Sequence, residues 1–226
     1  MESNVIADAG YSITEGVLSA EECSALIAAV SREVRPRGRA GARHLMTVPE
    51  VAALAADPRL LGLAAAALGG RAIPFRATLF AKSARANWLV VWHQDTALPL
   101  QARVEADEWG PWSTKAGVLY AHAPAWALDR VVALRVHVDA STSDNGPLRV
   151  IPGSHRAGVM PDEKVFGVAH QQESSECTVG RGGVLAMRPL LIHASSKMRR
   201  DLQRRVIHLE YADSLDLGRG ARLAVA

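Results

Sequence analysis

The chain has 226 residues, 49% hydrophobic and 22% charged, which excludes a disordered chain and leaves enough apolar material for a sizeable core. Its formal net charge of +3 is small for this length and comes mostly from scattered arginines, so no nucleic-acid partner is expected. Apolar runs such as Leu60 to Leu68 are far too short to cross a bilayer, so no membrane partner is expected either.

The opening MESNVIADAG has no basic segment followed by an apolar one, and a signal peptide is not expected. Cys23 and Cys177 stand far apart outside any zinc or redox motif, which suits a reducing cytoplasm and excludes a disulfide framework. Ser19-Ala-Glu-Glu22 has capping-box spacing. Behind it Cys23, Leu26, Ile27, Val30 and Val34 share one helical face until Pro36 stops the run. The basic stretch Arg35 to Arg43 reads either as a solvated loop or as a rim that attracts an anionic substrate. Thr47-Val-Pro-Glu50 repeats the capping signature for a short second helix, and Asp57-Pro58 opens a third that Gly69-Gly70 closes. Residues 1–70 are thus expected to be helical.

From Ala72 the pattern changes to short strands, expected at 72–82, 88–95, 117–121, 131–139, 148–151, 177–179, 183–187, 190–194 and 204–212. No helices are read between them, which argues for an antiparallel sandwich or barrel. Residues 96–130 hold Trp109, Trp112, Tyr120 and Trp126 without clear periodicity and read as a long irregular insertion of the kind that forms lids. Trp112 offers apolar contact to a substrate there, and His122 a polar one. The 226 residues are read as one domain.

Trp92-His93-Gln94-Asp95 closes an apolar strand, and residues two apart on a strand share a face, so His93 and Asp95 point the same way. An imidazole and a carboxylate on one rigid face make two thirds of a 2-His-1-carboxylate iron site. His193, at the end of the apolar run Leu190 to Ile192, is the best candidate for the third ligand. The strand that follows opens with Arg204-Arg205, where a guanidinium is suited to pairing with a dicarboxylic co-substrate. Alternation alone does not choose between the two arginines.

Five ordered motifs, Trp92-His-Gln-Asp95, Asp144-Asn-Gly-Pro-Leu148, Ile151-Pro-Gly-Ser-His155, His193-Ala-Ser195 and Arg204 eleven positions after His193, together resemble the phytanoyl-CoA dioxygenase family of Fe(II)/2-oxoglutarate-dependent oxygenases. The resemblance implies a mainly β fold, a cupin-like double-stranded β-helix (jelly roll) over 72–212, with packing helices before it. It also implies that His93, Asp95 and His193 bind Fe(II), that Arg204 rather than Arg205 holds the distal carboxylate of 2-oxoglutarate, and that Ser195 hydrogen-bonds that carboxylate. With O2 as the second co-substrate, the implied reaction is hydroxylation or another C–H oxidation of a small or medium metabolite. Halogenating relatives carry a small residue where Asp95 stands, so halogenation is not expected.

One position departs from the family. Arg135 stands where several members have tryptophan. With His137 and Asp139 it forms a polar row on the strand 131–139, which faces either a wet cavity or solvent. Lys82, closing the strand before the metal pair, is placed to meet an anionic group or solvent. Two rival readings remain: a non-catalytic jelly-roll module that binds a metabolite, and a metal-dependent hydrolase or isomerase on a cupin-type barrel.

Overall fold

The computed structural model describes residues 2–33, 41–200 and 202–226. Val34, Pro36 and most of the Arg35–Arg43 stretch therefore lie outside the described residues, apart from its last three positions. Two helices and a strand open the chain: α1 (Glu2–Ala9), β1 (Tyr11–Thr14) and α2 (Ala20–Glu33). The capping box at α2 is reciprocal. The Ser19 amide donates to Glu22 Oε2 at 2.7 Å, and the Glu22 amide donates to Ser19 Oγ at 3.2 Å. After the short β2 (Ala42–Arg43) come α3 (Pro49–Ala55) and α4 (Pro58–Leu68). Asp57 caps α4 through the Arg59 amide, and Gly69 ends it with a φ of 75°. Thr47 does not cap α3: its hydroxyl donates to the His44 carbonyl at 3.1 Å, and Val48 takes the cap position with no side-chain bond. Among the described residues no single helix is long and apolar enough to cross a membrane.

The rest is mainly β. The strands are β3 (Ile73–Lys82), β4 (Val90–His93), β5 (Ala97–Leu100), β6 (Trp112–Lys115), β7 (Val118–His122), β8 (Val131–His137), β9 (Leu148–Val150), β10 (Ser175–Cys177), β11 (Val184–Met187), β12 (His193–Ser195) and β13 (Arg204–Ala212). Helices α5 (Ala125–Leu128) and α6 (Asp162–Gln171) interrupt them, against the expectation of none. A six-stranded sheet ordered β1-β11-β8-β13-β3-β2 faces a four-stranded sheet ordered β10-β9-β12-β4, the two halves of a jelly roll. The first 70 residues are accordingly not all helical, because β1 and β2 extend the larger sheet at its two edges.

Helices α2, α3 and α4 bury Cys23, Leu26, Val30, Val51, Leu54, Leu60 and Ala64 against the outer face of the larger sheet, where Leu79, Val132, Leu134, Val136, Ile207 and Leu209 project. Tyr211 fixes that contact by donating from its hydroxyl to the Ala55 carbonyl at 3.0 Å. Each fully buried side chain of the Val, Leu or Ile type contributes on the order of 1.5–3 kcal/mol, so this face holds the layers together. All seven residues of β8 are buried, and β8 lies between β11 and β13, so it is not an edge strand with a solvated side.

Residues 96–130 are not irregular. They form a separate three-stranded sheet, β5-β7-β6, with its own core of Leu98, Leu100, Val104, Trp109 and Ala121. Trp109 meets Trp126 edge-on at 6.0 Å, and Trp112 packs against the same core beneath Arg103.

The turn Asp144-Asn145-Gly146 is pinned by Asn145, which accepts from the Thr142 amide and donates to the Ala140 carbonyl, both at 2.8 Å. Gly146 has a φ of +66°, and a Cβ there would lie 2.3 Å from the Ser196 carbonyl oxygen. Gly146→Ala is expected to cost more than about 2 kcal/mol from strain and displaced backbone. A fall in the denaturant midpoint at constant m value would show it, and an unchanged midpoint would refute it.

Candidate active site

The inner face of the larger sheet can be read in rows across β3, β13 and β8. Lys82 lies opposite Arg204; Phe80, Val206 and His137 form the next row; Thr78, His208 and Arg135 the third; Arg76, Glu210 and Ala133 the fourth. Strand alternation sends these side chains inward while Arg205, Ile207 and Leu209 go outward. Arg205 confirms the register by its own partner: its Nε and Nη2 bond both oxygens of Asp139 at 2.7 and 2.9 Å. Asp139 thus leaves the polar row to which Arg135 and His137 belong.

Opposite these rows, His93 on β4 and His193 on β12 are cross-strand partners with ring centroids 4.1 Å apart. Each imidazole gives its Nδ1 hydrogen to the carbonyl two residues earlier, Val91 at 2.8 Å for His93 and Leu191 at 2.9 Å for His193. That bond fixes the tautomer and leaves each Nε2 as a lone pair aimed inward. Asp95 lies between them, with Oδ1 3.6 Å from His93 Nε2 and Oδ2 3.5 Å from His193 Nε2. These separations are long for direct hydrogen bonds. One donor atom from each of the three residues lies within 4.8 Å of the others, the spacing of groups that can share a metal ion.

Burial pushes the His193 pKa down to about 4. Burial also opposes charge on His93 and Asp95, but their mutual attraction outweighs it: His93 is raised, and Asp95, facing both histidines, is held well below the usual carboxylate range. Gln94 points the other way and locks the ligand strand to its surroundings. It donates to the Gly158 and Leu190 carbonyls at 2.9 and 2.8 Å and accepts from the Met160 amide at 2.9 Å.

The first row is electrostatically unusual. Lys82 and Arg204 are like charges directly opposite on antiparallel strands, 1% and 3% exposed, an arrangement that is destabilising by itself. Neither has a carboxylate partner among the described residues. Lys82 Nζ donates to Ser195 Oγ at 2.7 Å and to the Ser196 carbonyl at 2.5 Å, and Arg204 Nη2 reaches Ser195 Oγ at 3.3 Å. Lys82 is therefore not solvated. The Ser195 hydroxyl spends its proton on the Gly146 carbonyl at 2.9 Å, so it bridges the two cations rather than standing free to donate. Burial, then the facing Arg204 and Arg135, lowers Lys82 to about 7, and burial with Arg135 lowers Arg204 to about 9. Arg204 Nε and Nη1, Arg135 Nε and His137 Nε2 are buried with no hydrogen-bond partner among the described residues.

Arg135 lies over Phe80 at 5.2 Å and meets His208 Nδ1 at 3.2 Å, both inside the roll. His137 is neutral by burial and bonds Ser141 through Nδ1 at 2.9 Å. In front of His93 and Asp95 opens a cavity of about 350 Å³, lined also by Arg43, Arg76, Thr78, Phe80, Thr96, Lys115, Tyr120, His122 and His208. His122 is among the lining residues, held by Thr96 at 2.7 Å, but Trp112 is not: it belongs to the core of the small sheet. The alternation Arg76-x-Thr78-x-Phe80-x-Lys82 carried a signal for Arg76 and Thr78, whereas Lys115 sits in the stretch read as irregular and Tyr120 in the short strand expected at 117–121. His44, just after β2, bonds the Tyr120 hydroxyl at 3.0 Å.

A jelly roll with two histidines and an aspartate at its mouth defines the cupin-like class. The chain belongs to the phytanoyl-CoA dioxygenase (PhyH) family, whose pattern matches residues 6–206. It is 30% identical over 145 residues to the L-proline trans-4-hydroxylase of Streptomyces griseoviridis, covering 60% of this chain and 46% of that protein. The chain thus spans less than half the length of that relative. Among solved structures, iron-bound EctD from S. alaskensis matches with a TM-score of 0.71 and 23% identity over 100% of this chain and 86% of its own. HygX from Streptomyces hygroscopicus, with nickel and 2-oxoglutarate, matches with a TM-score of 0.67 and 19% identity over 92% of this chain and 85% of its own. At such identities these likenesses bear on the fold.

Proposed function

We propose that the protein is a non-haem Fe(II)/2-oxoglutarate-dependent dioxygenase that oxidises a C–H bond of a small or medium organic molecule. The observation that carries this reading is the pairing of two sites. A convergent His93-Asp95-His193 donor set stands beside an inward, buried Lys82–Arg204 pair that has no described counterion. Two like charges opposite one another are tolerable when an anion enters between them, and a dicarboxylate chelating a metal at its other end meets that need. The unpartnered Arg204 nitrogens supply its donors. A hydrolase or isomerase leaves this cationic pair without a task, and a passive binding module leaves the two fixed tautomers without one.

In this reading His93, Asp95 and His193 would hold iron, while Arg204 and Lys82 would orient the co-substrate. The metal, 2-oxoglutarate and O2 together supply an oxidant for a C–H bond, with release of succinate and CO2. The protein's part is orientation and shielding: the Gln94 anchors hold the ligand strand in place, and the walls from Phe80 to His208 limit access of water. A succinate-release screen across a metabolite library, with iron, ascorbate and oxygen, tests the assignment. Succinate that depends on both iron and 2-oxoglutarate supports it, and its absence across the library sinks it.

We assign Arg135 to substrate choice, since Arg204 already answers the distal carboxylate and His208 carries the Arg135 contact to the cavity wall. Arg135→Leu is expected to impair substrate-coupled turnover more steeply than 2-oxoglutarate consumption without substrate. Equal loss of both, to the level of Arg204→Ala, would move Arg135 to the co-substrate.

A further inference from the structure

Two cations from separate elements face the cavity in front of the metal-ligand set. Arg43 comes from β2 at the edge of the larger sheet, and Lys115 from the end of β6 in the small sheet. A third, Arg76, is already neutralised by Glu210 and also donates to the Ala97 carbonyl at 2.9 Å. Among the described residues Arg43 and Lys115 have no carboxylate within ion-pair distance, and Asp95, the one acidic residue of these that lines the cavity, faces the two histidines. Lys115 is only partly exposed, its Nζ held 4.9 Å from the centre of the Tyr120 ring, whose hydroxyl is tied to His44. These cations are not those of the proposed co-substrate site, because Lys82 and Arg204 do not line this cavity. Its volume of about 350 Å³ suits a small molecule.

We propose that the substrate carries an anionic group, a carboxylate or a phosphate, which Lys115 and Arg43 anchor at the mouth while the bond to be oxidised lies toward the metal. This rests on the oxygenase reading for its direction, though the anion site itself does not. Burial and the nearby Arg43 and Arg76 lower the Lys115 pKa, as expected of a cation awaiting a counterion.

The test is calorimetric titration of the protein loaded with Ni(II) and 2-oxoglutarate. The probes are small carboxylic acids and phosphate monoesters, each beside its neutral amide or parent alcohol. The expected result is a charged compound that binds at least about tenfold more tightly than its neutral partner, the scale of a charge-assisted hydrogen bond. Lys115→Met and Arg43→Met should each weaken it by about tenfold, and Lys115→Arg should retain most of the affinity. The acid and phosphate arms identify which group is taken. If no charged compound binds more tightly than its neutral partner, or if both methionine variants bind it as the parent does, the proposal is overturned. Should 2-oxoglutarate itself fail to bind, the oxygenase reading fails instead, and the same panel on the unloaded protein still reads the anion site.

Discussion

His193→Ala is expected to lower iron affinity by a hundredfold or more and to abolish 2-oxoglutarate turnover, with the fold retained. Loss of groups that merely orient a metal ligand typically costs about 10–100-fold, and His193 is proposed as a ligand itself. Its Nε2 has no direct hydrogen bond to lose, since Asp95 stands 3.5 Å away, and its Nδ1 bond goes to a backbone carbonyl. The protein should therefore unfold at nearly the parent denaturant concentration while iron, measured by elemental analysis after desalting, is gone. His93→Ala and Asp95→Ala should behave alike. Full iron occupancy in His193→Ala would remove the residue from the metal site.

Arg204→Ala should raise the 2-oxoglutarate requirement by roughly a hundredfold or more and affect iron retention much less. Removing one partner of a buried, charge-assisted pair typically costs about 3–5 kcal/mol. Arg205→Ala is the matched control. Its guanidinium lies on the outer face and bonds Asp139, so its loss should cost some stability and leave the co-substrate requirement within a few-fold. Steady-state kinetics against 2-oxoglutarate distinguish the two, and the opposite ranking would contradict the inward register of β13 as the basis of binding.

How much of this was legible in the sequence differs by element. Strand β13 runs from Arg204 to Ala212 as expected, because its alternation is regular and it is buried on both faces. His93 and Asp95 were read together from the two-residue period of a strand expected to run to Asp95; β4 ends at His93, and Asp95 meets the histidines from just beyond it. His193 was read from its position at the end of an apolar run. The structure pairs it directly with His93. The choice of Arg204 over Arg205 needed the family resemblance, since the two differ only in which face the twisted strand presents. Where expectation failed, local signals were diluted by tertiary contacts. Strands β5 and β6 are four residues each and contain or follow proline, so no periodicity survives in the sequence, yet a shared core around Leu98 and Trp109 forms them. The same core claims Trp112, which had looked available to a substrate. Lys82 looked like a solvated strand end because nothing local shows that the Ser195–Ser196 turn closes over it. The capping motif at Thr47 was outcompeted by a hydrogen bond to His44. The mouth cations Arg43 and Lys115 are 72 positions apart in the sequence and meet only through the packing of two sheets.

The central claim, that one site holds iron and 2-oxoglutarate together, is tested most directly by anaerobic titration of the purified protein with Fe(II) and then 2-oxoglutarate. A metal-to-ligand charge-transfer band should appear only when both are present and saturate at one equivalent of each. In Arg204→Ala the same band should require roughly a hundredfold or more 2-oxoglutarate. Iron binding without any such band at saturating 2-oxoglutarate would contradict the account.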